Sequence, residues 1–268
     1  MATLVPNAIS LCVSQFAMAG PSSRLHPPGE HEVHVWVGSV ASAASYITQF
    51  QEMLSDDENA RASKFRFDKN RHEFIVSRGM LRTLLASYLG GSAAGLRFTY
   101  SAYGKPRLEE AKNPGILTFN LSHSDGVIVC AFARNREVGV DVEKMHQDFS
   151  TEEIAERFFS AGERIALRAL PAEHRRQGFF NCWTRKEAYI KARGEGLSLP
   201  LHQFDVSLSP AEPAALLRTR PDANEASRWS LHDLEVPPGY AAALAVEIGR
   251  STSSALAAPD VSTGYNFS

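Results

Sequence analysis

Residues 183–191 constrain the fold of this chain more than any other segment, because they place an acid and a base on an apolar helical face. Side chains recur there at three- and four-residue spacing, and Gly194 follows as a helix stop. This spacing predicts the last turns of an amphipathic helix. Its mixed face consists of Phe180, Trp183, Glu187, Ile190 and Lys191.

The two charges on this face have two possible explanations. A charged side chain is seldom buried without a partner, so Glu187 and Lys191 need charged neighbours if this face packs inside the protein. The alternative is an exposed pair of opposite charges four residues apart, which stabilises a helix by only about 0.2–0.5 kcal/mol. Spacing alone favours the exposed pair, so the choice depends on what the rest of the chain brings to this face.

The composition predicts one large domain or two small ones with a hydrophobic core. Of the 268 residues, 44% are hydrophobic and 22% are charged, and the formal net charge is -2. Such a chain is not expected to bind nucleic acid or a membrane surface, although a local basic cluster could receive an anionic ligand. Cys12, Cys130 and Cys182 lack metal-ligand spacing, which favours free thiols in a reducing compartment, and we expect a cytoplasmic protein.

Both ends of the chain are predicted to lie outside the folded part. Residues 1–30 begin with small and apolar side chains but lack the positive start of a secretory signal, so we expect a disordered extension, with an organelle-targeting leader as the alternative. Residues 250–268 are rich in Ser, Thr and Ala and predict a disordered tail. No run reaches the roughly 18 apolar residues that a membrane span requires, so no spanning segment is expected.

The predicted elements repeat loosely, with a strand, helices and a returning pair of strands in each half of the chain. The patterns predict strands at 34–37, 116–121, 127–132, 138–143, 204–208, 228–231 and 240–248, and helices near 55–64, 71–89, 150–159, 160–170 and 172–193. This order predicts an α+β fold of two similar halves, residues 31–135 and 136–249, with a cleft between them.

A local excess of positive charge lies between Arg61 and Arg82, where seven bases accompany two acids. Arginine and lysine suit phosphate oxygens, so this segment could clamp phosphates. A solvated helix surface explains most of these bases equally well. It does not explain Arg78, which falls inside the apolar stripe of the helix predicted at 71–89.

Two polar loops flank the middle strands. The Tyr-Gly-Lys-Pro sequence at 103–106 predicts a turn that presents Lys105, without the spacing of a nucleotide-hydrolase phosphate loop. The strand at 116–121 ends at Ser122, His123 and Ser124, which can present polar groups in a cleft. Taken alone, His123 is more often a structural histidine whose hydrogen bonds are satisfied.

Asp141 and Glu143 share one face of the strand predicted at 138–143, because side chains alternate with period two. Carboxylates held this close raise each other's pKa unless a cation neutralises them, so they favour a divalent ion. An exposed strand edge that carries acids is the alternative, and Asp-x-Glu alone is a weak signal.

Taken together, these motifs resemble the paired signature of the 4′-phosphopantetheinyl transferase superfamily. Gly-Val-Asp-Val-Glu at 139–143 is followed about forty residues later by Trp-Thr-Arg-Lys-Glu-Ala-Tyr-Ile-Lys at 183–191. The motifs at 103–106, 119–124 and 194–201 resemble the monomeric, surfactin-synthetase-activating (Sfp) type. The resemblance covers roughly residues 33–249, and five motifs in this order make it specific.

The resemblance implies a pseudo-twofold monomer of two similar α/β halves, with coenzyme A and Mg²⁺ bound in the cleft between them. It implies a Mg²⁺-dependent holo-[acyl-carrier-protein] synthase, which moves the phosphopantetheine arm of coenzyme A onto a serine of an apo carrier protein and releases 3′,5′-ADP. The partner would be an acyl, peptidyl or polyketide carrier of fatty acid, nonribosomal peptide or polyketide synthases. Neither nucleic acid nor a membrane is expected as a partner.

The resemblance also assigns chemical roles. Asp141, Glu143 and Glu187 match the metal-binding acids of the family. Glu187 would take the proton of the carrier serine, directly or through a metal-bound water, and Lys191 would stabilise the leaving phosphate. These roles make Glu187, Lys191 and Asp141 the expected catalytic residues.

Further positions match contacts to coenzyme A. Lys105 and His123 match phosphate contacts, Ser122 a residue near the nucleotide, and Arg61 a base at the 3′-phosphate. Glu58 and Phe74 stand where some members have basic or hydroxylated residues, so Arg78 is expected to take their place at the 3′-phosphate.

Phe158, Phe159 and the segment after Glu143 match the region that meets the carrier in this family. These residues are therefore the expected partner contacts.

Two other functions are compatible with the sequence. A coenzyme A binding module without chemistry would bind the coenzyme and modify no carrier, but the complete acid trio and Lys191 count against it. Another Mg²⁺-dependent phosphodiester enzyme would hydrolyse coenzyme A or a nucleotide without any carrier. A serine hydrolase built on Ser122 and His123 is not expected, because adjacent strand residues point apart and no Gly-x-Ser-x-Gly motif is present.

Overall fold

The chain repeats one unit twice, a strand followed by a long helix and then by a hairpin of two strands. A computed structural model of the protein describes residues 9–17, 20–21, 23–109, 113, 116–147, 150–220 and 222–248. The helices are α1 Ile47–Met53, α2 Asp56–Ala62, α3 Asp68–Leu89, α4 Thr151–Phe158, α5 Ala161–Ala169 and α6 Ala172–Arg193. The strands are β1 Ser10–Gln15, β2 Glu32–Ser39, β3 Phe98–Tyr100, β4 Pro106–Leu108, β5 Leu117–Ser124, β6 Val127–Arg134, β7 Val138–Lys144, β8 Phe204–Val206, β9 Leu216–Thr219, β10 Trp229–Asp233 and β11 Tyr240–Glu247.

The two units have the same topology. The first consists of β2, α3 and the β5–β6 hairpin, and the second of β7, α6 and the β10–β11 hairpin. The strand orders are β1-β2-β6-β5 and β10-β11-β7, so the second hairpin strand pairs antiparallel with the first strand of its unit. This repetition confirms the predicted α+β fold of two similar halves. We call the elements up to β6 the N-terminal half and those from β7 the C-terminal half.

The core has three parts, because both sheets are covered on both faces. Helix α3 packs on one face of the N-terminal sheet, and α6 packs on one face of the C-terminal sheet. The remaining two faces form a shared layer of valine, alanine and leucine. Its members include Val35 and Val129 from one sheet and Val140, Leu244 and Val246 from the other, all fully buried. Burial on both faces explains the nearly continuous apolar sequences of β6 and β11.

Both long helices begin and end near their predicted limits. Helix α6 ends at Gly194, which adopts a left-handed conformation with φ of 71°. Helix α5, which precedes it, starts with the capping box that the sequence indicates: the Ser160 N–H donates to Glu163 Oε2 (2.9 Å), and the Glu163 N–H donates to Ser160 Oγ (3.2 Å). Local sequence signals therefore set these helix ends.

Strand β1 corrects part of the disordered extension predicted for residues 1–30. Residues 10–15 pair in parallel with β2, from Ser10 opposite Glu32 to Gln15 opposite Val37, and Phe16 is buried. The six-residue strand is short and partly exposed, and its order depends on the edge that β2 provides, which local sequence does not reveal. The tail predicted at 250–268 lies outside the described residues.

No helix in the described ranges is both long enough and apolar enough to cross a membrane.

Gly139 lets helix α6 approach strand β7 closely. A Cβ added at this glycine would overlap the carbonyl oxygen of Ala188 and the amide nitrogen of Ala192, and would lie 2.8 Å from Ala192 Cα. These are backbone atoms of one helix, so they cannot move aside as a flexible side chain would. Glu187 and Lys191 adjoin the same two alanines, so this contact sets their height above β7.

We expect Gly139→Ala to lower the free energy of unfolding by about 1–3 kcal/mol or more, because the added methyl group overpacks a backbone contact. Urea unfolding measures this change. The matched control is Gly162→Ala in α5, where an added Cβ meets only Ser160 Oγ at 3.8 Å. Equal stabilities of the two variants would contradict the close approach.

Candidate active site

Acidic side chains from β7 and α6 meet polar side chains from β5 where the two halves join. We call the line along which β5 and β7 lie side by side the inter-half seam. Strand β7 contributes Asp141 and Glu143, as the period-two pattern predicts, and α6 contributes Glu187 and Lys191. Asp141 is buried, whereas the other three are half-buried. The structure therefore brings the four predicted residues of the C-terminal half together, next to β5 of the N-terminal half.

Lys191 is held by the seam. Its Nζ donates to Asp141 Oδ1 (2.6 Å) and to Ser122 Oγ (2.9 Å), and Ser122 Oγ donates to Asp141 Oδ1 (3.0 Å). The ion pair of Lys191 is thus with Asp141 and not with Glu187, the residue four positions earlier. An ordinary exposed pair within the helix does not describe these charges, because they belong to a tertiary cluster.

The acids of this cluster disfavour each other's ionisation. Burial raises the pKa of Asp141, although Lys191 and Ser122 oppose the shift. Burial and the neighbouring Asp141 raise the pKa of Glu143. Burial, again with Asp141, raises the pKa of Glu187 to about 7, against the opposing effect of Lys191. Three carboxylates with one ammonium group leave an excess of negative charge when all are ionised.

The donor set of this cluster suits a hard divalent cation. All three acids offer carboxylate oxygens, and Asp141 Oδ2 is buried without a hydrogen-bond partner. Among the described ranges, however, no group of three or more His, Cys, Asp or Glu side chains is arranged so that it could hold a metal ion. The cluster therefore has the donor chemistry of the predicted metal ligands but not their arrangement around an ion, and Lys191 is the cation that contacts Asp141.

A cavity of about 290 Å³ opens beside the seam in the N-terminal half. It is lined by three of the predicted phosphate contacts, Arg61, Arg78 and His123, together with Ser77 and Tyr100. The side chain of His123 is 38% exposed, and its Nδ1 lies 3.7 Å from Glu73 Oε2. We call this space the α2–α3 cavity, after the helices that carry its arginines.

The wall of the α2–α3 cavity contains a buried cluster of two arginines and one glutamate. Glu58 accepts hydrogen bonds from Arg78 Nε and from Arg82 Nε, the latter at 2.6 Å. Burial alone would raise the pKa of Glu58, but Arg78, the backbone N–H of Ser55 and Arg82 together outweigh it and hold this pKa below its usual value. Two cations against one anion leave a net positive charge, which favours an anionic ligand.

Arg82 is a buried member of this cluster that the sequence analysis counted among the bases but did not single out. It is fully buried, and its guanidinium lies over the Phe98 ring at 5.0 Å, next to that of Arg78 at 4.9 Å. The available signal was its position four residues after Arg78, on the same apolar stripe.

Lys105, a predicted phosphate contact, is held by protein groups in this structure, and its role toward phosphate stays a prediction. Its Nζ donates to Glu137 Oε2 (2.8 Å), Val138 O (3.2 Å) and Ala192 O (2.8 Å), which engages all three ammonium protons. Burial lowers the pKa of Lys105, while Glu137 opposes the shift. The side chain therefore joins the β3–β4 hairpin to the C-terminal half, and it does not line the α2–α3 cavity.

Two other predicted positions need refinement. Ser122 lies in the seam against Asp141 and Lys191 rather than among the lining residues of the α2–α3 cavity. Phe159 is buried and stacks on Phe179 at 5.3 Å, so it is not available to a partner. Phe158 is half-buried against Trp183 and stays accessible. Helix α4 ends between these neighbouring phenylalanines, since Phe158 is its last residue and Phe159 is its extended C-cap.

The sequence matches known proteins along most of its length. Residues 137–245 match the family described as 4′-phosphopantetheinyl transferase superfamily, and residues 41–135 match 4′-phosphopantetheinyl transferase, N-terminal. The 4′-phosphopantetheinyl transferase HetI of Nostoc sp. is 38% identical over 80% of this chain and 87% of its own. The transferase Sfp of Bacillus subtilis is 30% identical over 72% of this chain and 81% of its own. A solved ACPS-CoA complex from Chronobacterium ammoniagenes matches 43% of this chain and 98% of that chain, with 19% identity and a TM-score of 0.31.

The chain therefore belongs to the 4′-phosphopantetheinyl transferase superfamily. This confirms the family that the sequence motifs indicate, including its similarity to the Sfp-like type.

We expect Glu187→Gln to stabilise the metal-free protein at pH 8 and to change its stability much less at pH 5. The folded pKa of about 7 lies above the ordinary value of 4.5, so the folded state holds the extra proton and loses stability as the pH rises through this interval. The loss is on the order of 2–3 kcal/mol, and the neutral glutamine avoids it.

Urea unfolding with a chelator, at both pH values, measures this difference. Glu173→Gln, an exposed substitution in the first turn of α6, is the control and should show no difference between the two pH values. A Glu187→Gln effect of the same size at pH 5 and pH 8 would count against the raised pKa.

Proposed function

We propose that this protein transfers the 4′-phosphopantetheine arm of coenzyme A to a serine hydroxyl of an apo carrier protein. The observation that carries the proposal is the placement of the acid cluster with Lys191 directly beside the α2–α3 cavity, which Arg61, Arg78 and His123 line. An anionic cosubstrate suits the cavity, and the excess negative charge of the acids suits a cation that the cosubstrate would share. Family membership supports the same reaction.

The α2–α3 cavity would hold the phosphates of coenzyme A. Arg78 lies in the wall of this cavity and belongs to the buried cluster of Glu58, Arg78 and Arg82. Arg61 lines the same cavity and is exposed. Both guanidinium groups can form paired hydrogen bonds to phosphate oxygens. We assign them to the 3′-phosphate, and His123, closer to the seam, to the pyrophosphate. Arg78 thereby takes the place of the bases or hydroxyl groups that Glu58 and Phe74 do not supply.

Asp141, Glu143 and Glu187 would hold Mg²⁺, a cation that prefers oxygen ligands. When bound, this ion supplies charge neutralisation to the pyrophosphate, which is the main requirement of phosphoryl transfer. The raised pKa values of the three carboxyls and the unpartnered Asp141 Oδ2 support this assignment.

Two residues of the chain would act on the proton of the carrier serine and on the negative charge of the leaving 3′,5′-ADP. Glu187, a carboxylate of the acid cluster on α6, would accept the proton of the carrier serine. The serine oxygen then bonds to the phosphorus attached to pantetheine, and the bond from that phosphorus to the bridging oxygen breaks. The bridging oxygen leaves with 3′,5′-ADP, and the Lys191 ammonium stabilises its new negative charge. Ser122 and Asp141 fix Lys191 for this role.

The carrier would approach the C-terminal half beside Glu143. Met145, Ile154, Phe158 and Trp183 are apolar and only half-buried there. Such partly exposed apolar side chains, next to the acid cluster, are suited to contact a carrier.

Because one chain contains both halves of the site, we infer that the enzyme acts as a monomer, and we place it in the cytoplasm.

We expect Asp141→Ala, Glu187→Gln and Lys191→Met each to lower transfer by roughly 10²–10⁴-fold, because each removes a charge from the reacting groups. Lys191→Met should lower kcat more than it raises the KM for coenzyme A, since its role lies in the transition state. Mass spectrometry of apo acyl, peptidyl and polyketide carriers, after incubation with coenzyme A, measures the transfer.

Glu173→Gln on the same helix serves as the control and should keep wild-type transfer. Coenzyme A binding without carrier modification by the wild-type protein would favour a binding module instead. Hydrolysis of coenzyme A without any carrier would favour another phosphodiester enzyme.

We expect Arg61→Met to lower kcat/KM for coenzyme A by about 10–100-fold, which is the size of a charged hydrogen bond, and to leave kcat/KM for 3′-dephospho-coenzyme A nearly unchanged. Arg61 is exposed, so its loss does not leave a buried charge unpaired, as the loss of Arg78 would. Arg66→Met, an exposed substitution outside the α2–α3 cavity, is the matched control. An equal loss with both substrates would contradict the assignment of Arg61 to the 3′-phosphate.

A further inference from the structure

Strand β5 reaches strand β7 through side chains rather than through backbone hydrogen bonds. Three alternate residues in the second part of β5 each accept a hydrogen bond from a backbone N–H of β7, which forms a ladder along the inter-half seam. Its rungs are Val140 N–H to Asn120 Oδ1 (2.9 Å), Val142 N–H to Ser122 Oγ (3.3 Å) and Lys144 N–H to Ser124 Oγ (3.1 Å). Both strands have a side-chain period of two, so the register persists over all three rungs.

The two serine rungs also hold the acids of the cluster. Ser122 Oγ donates to Asp141 Oδ1 (3.0 Å), and Ser124 Oγ donates to Glu143 Oε2 (2.8 Å). A hydroxyl group has one proton and two lone pairs, so it can accept from the backbone and donate to the carboxylate at once. The Asn120 rung differs, because the preceding position on β7 is Gly139, which has no carboxylate.

We propose that Ser124 is a positioning residue, which fixes the Glu143 carboxylate for the divalent cation. This inference rests on the proposed function, in which Glu143 is a metal ligand. Glu143 lies one residue before the end of β7, so its own strand restrains it less than Asp141 is restrained. Ser124 belongs to the N-terminal half, and its hydroxyl couples the orientation of this ligand to the packing of the two halves. Partners of metal-bound carboxylates typically change the metal affinity by about 10–100-fold when removed.

Threonine and valine at position 124 separate the hydroxyl from the volume. Ser124→Thr keeps the hydroxyl group. Ser124→Val introduces a side chain of the same shape as threonine but without the hydroxyl group, and both side chains suit a strand. Asn120→Ala is the control for the ladder, since it removes a rung that holds no carboxylate. Asn120 also lines the α2–α3 cavity, so coenzyme A is kept saturating in every variant. Mn²⁺ serves as the probe of the metal site, and its binding is measured by electron paramagnetic resonance with saturating coenzyme A and no carrier, so that no turnover occurs.

We expect Ser124→Val to weaken Mn²⁺ binding by about tenfold or more and Ser124→Thr to stay within about threefold of the wild type. Asn120→Ala should lower the urea midpoint of unfolding but keep Mn²⁺ binding within the same threefold range. In a Glu143→Gln background, Ser124→Val should cause no further loss of Mn²⁺ affinity, because its effect acts through Glu143. Should Ser124→Val fail to fold, comparison of Ser124→Thr with Ser124→Ala provides the same test.

The positioning role would be overturned if Ser124→Val bound Mn²⁺ as tightly as the wild type, or if Asn120→Ala lost as much Mn²⁺ affinity as Ser124→Val. Either result would leave the proposed function standing as long as the wild-type enzyme modifies a carrier. A wild-type protein that neither binds Mn²⁺ nor modifies any carrier would overturn the proposed function itself. The two failures are therefore distinguishable.

Discussion

The close approach of α6 to β7 at Gly139 is the contact on which the site depends. Backbone atoms of Ala188 and Ala192 occupy the space that any larger residue would need. Because the helix lies this close, Lys191 reaches Asp141 and Ser122 within hydrogen-bond distance. Because Gly139 has no side chain, helix α6 can lie close enough to place Glu187 and Lys191 beside strand β7 and beside the N-terminal half.

Charge is distributed unequally on the two sides of the inter-half seam. Asp141, Glu143 and Glu187 concentrate negative charge in a place where burial raises their pKa values. On the other side, Arg78 and Arg82 share one glutamate inside the wall of the α2–α3 cavity. Buried like charges are unfavourable in the free protein and become favourable when ligands of opposite charge bind. The arrangement therefore favours a cation on one side and an anion on the other, which a magnesium–phosphate pair would satisfy.

The elements that were predicted well have strong local signals. Apolar residues at helical spacing and a terminal glycine identify α6, and the Asp125–Gly126 turn between two apolar runs identifies the β5–β6 hairpin. Strand β1 has a weak local signal and was not predicted, because its order comes from its pairing with β2. The partners of Lys105 were not predictable either, because its side chain pairs with Glu137 and with two carbonyl groups of the C-terminal half, which are distant in sequence.

The sequence by itself determined the family, the order of elements and the membership of the acid cluster, because motif spacing and side-chain period are local properties of the chain. Only the tertiary structure decided which charges meet. Lys191 pairs with Asp141 rather than with its helical neighbour Glu187, and Ser124 holds Glu143 across the inter-half seam. These contacts join residues far apart in the chain, and they exist because two separately packed halves place β5 against the open edge of β7.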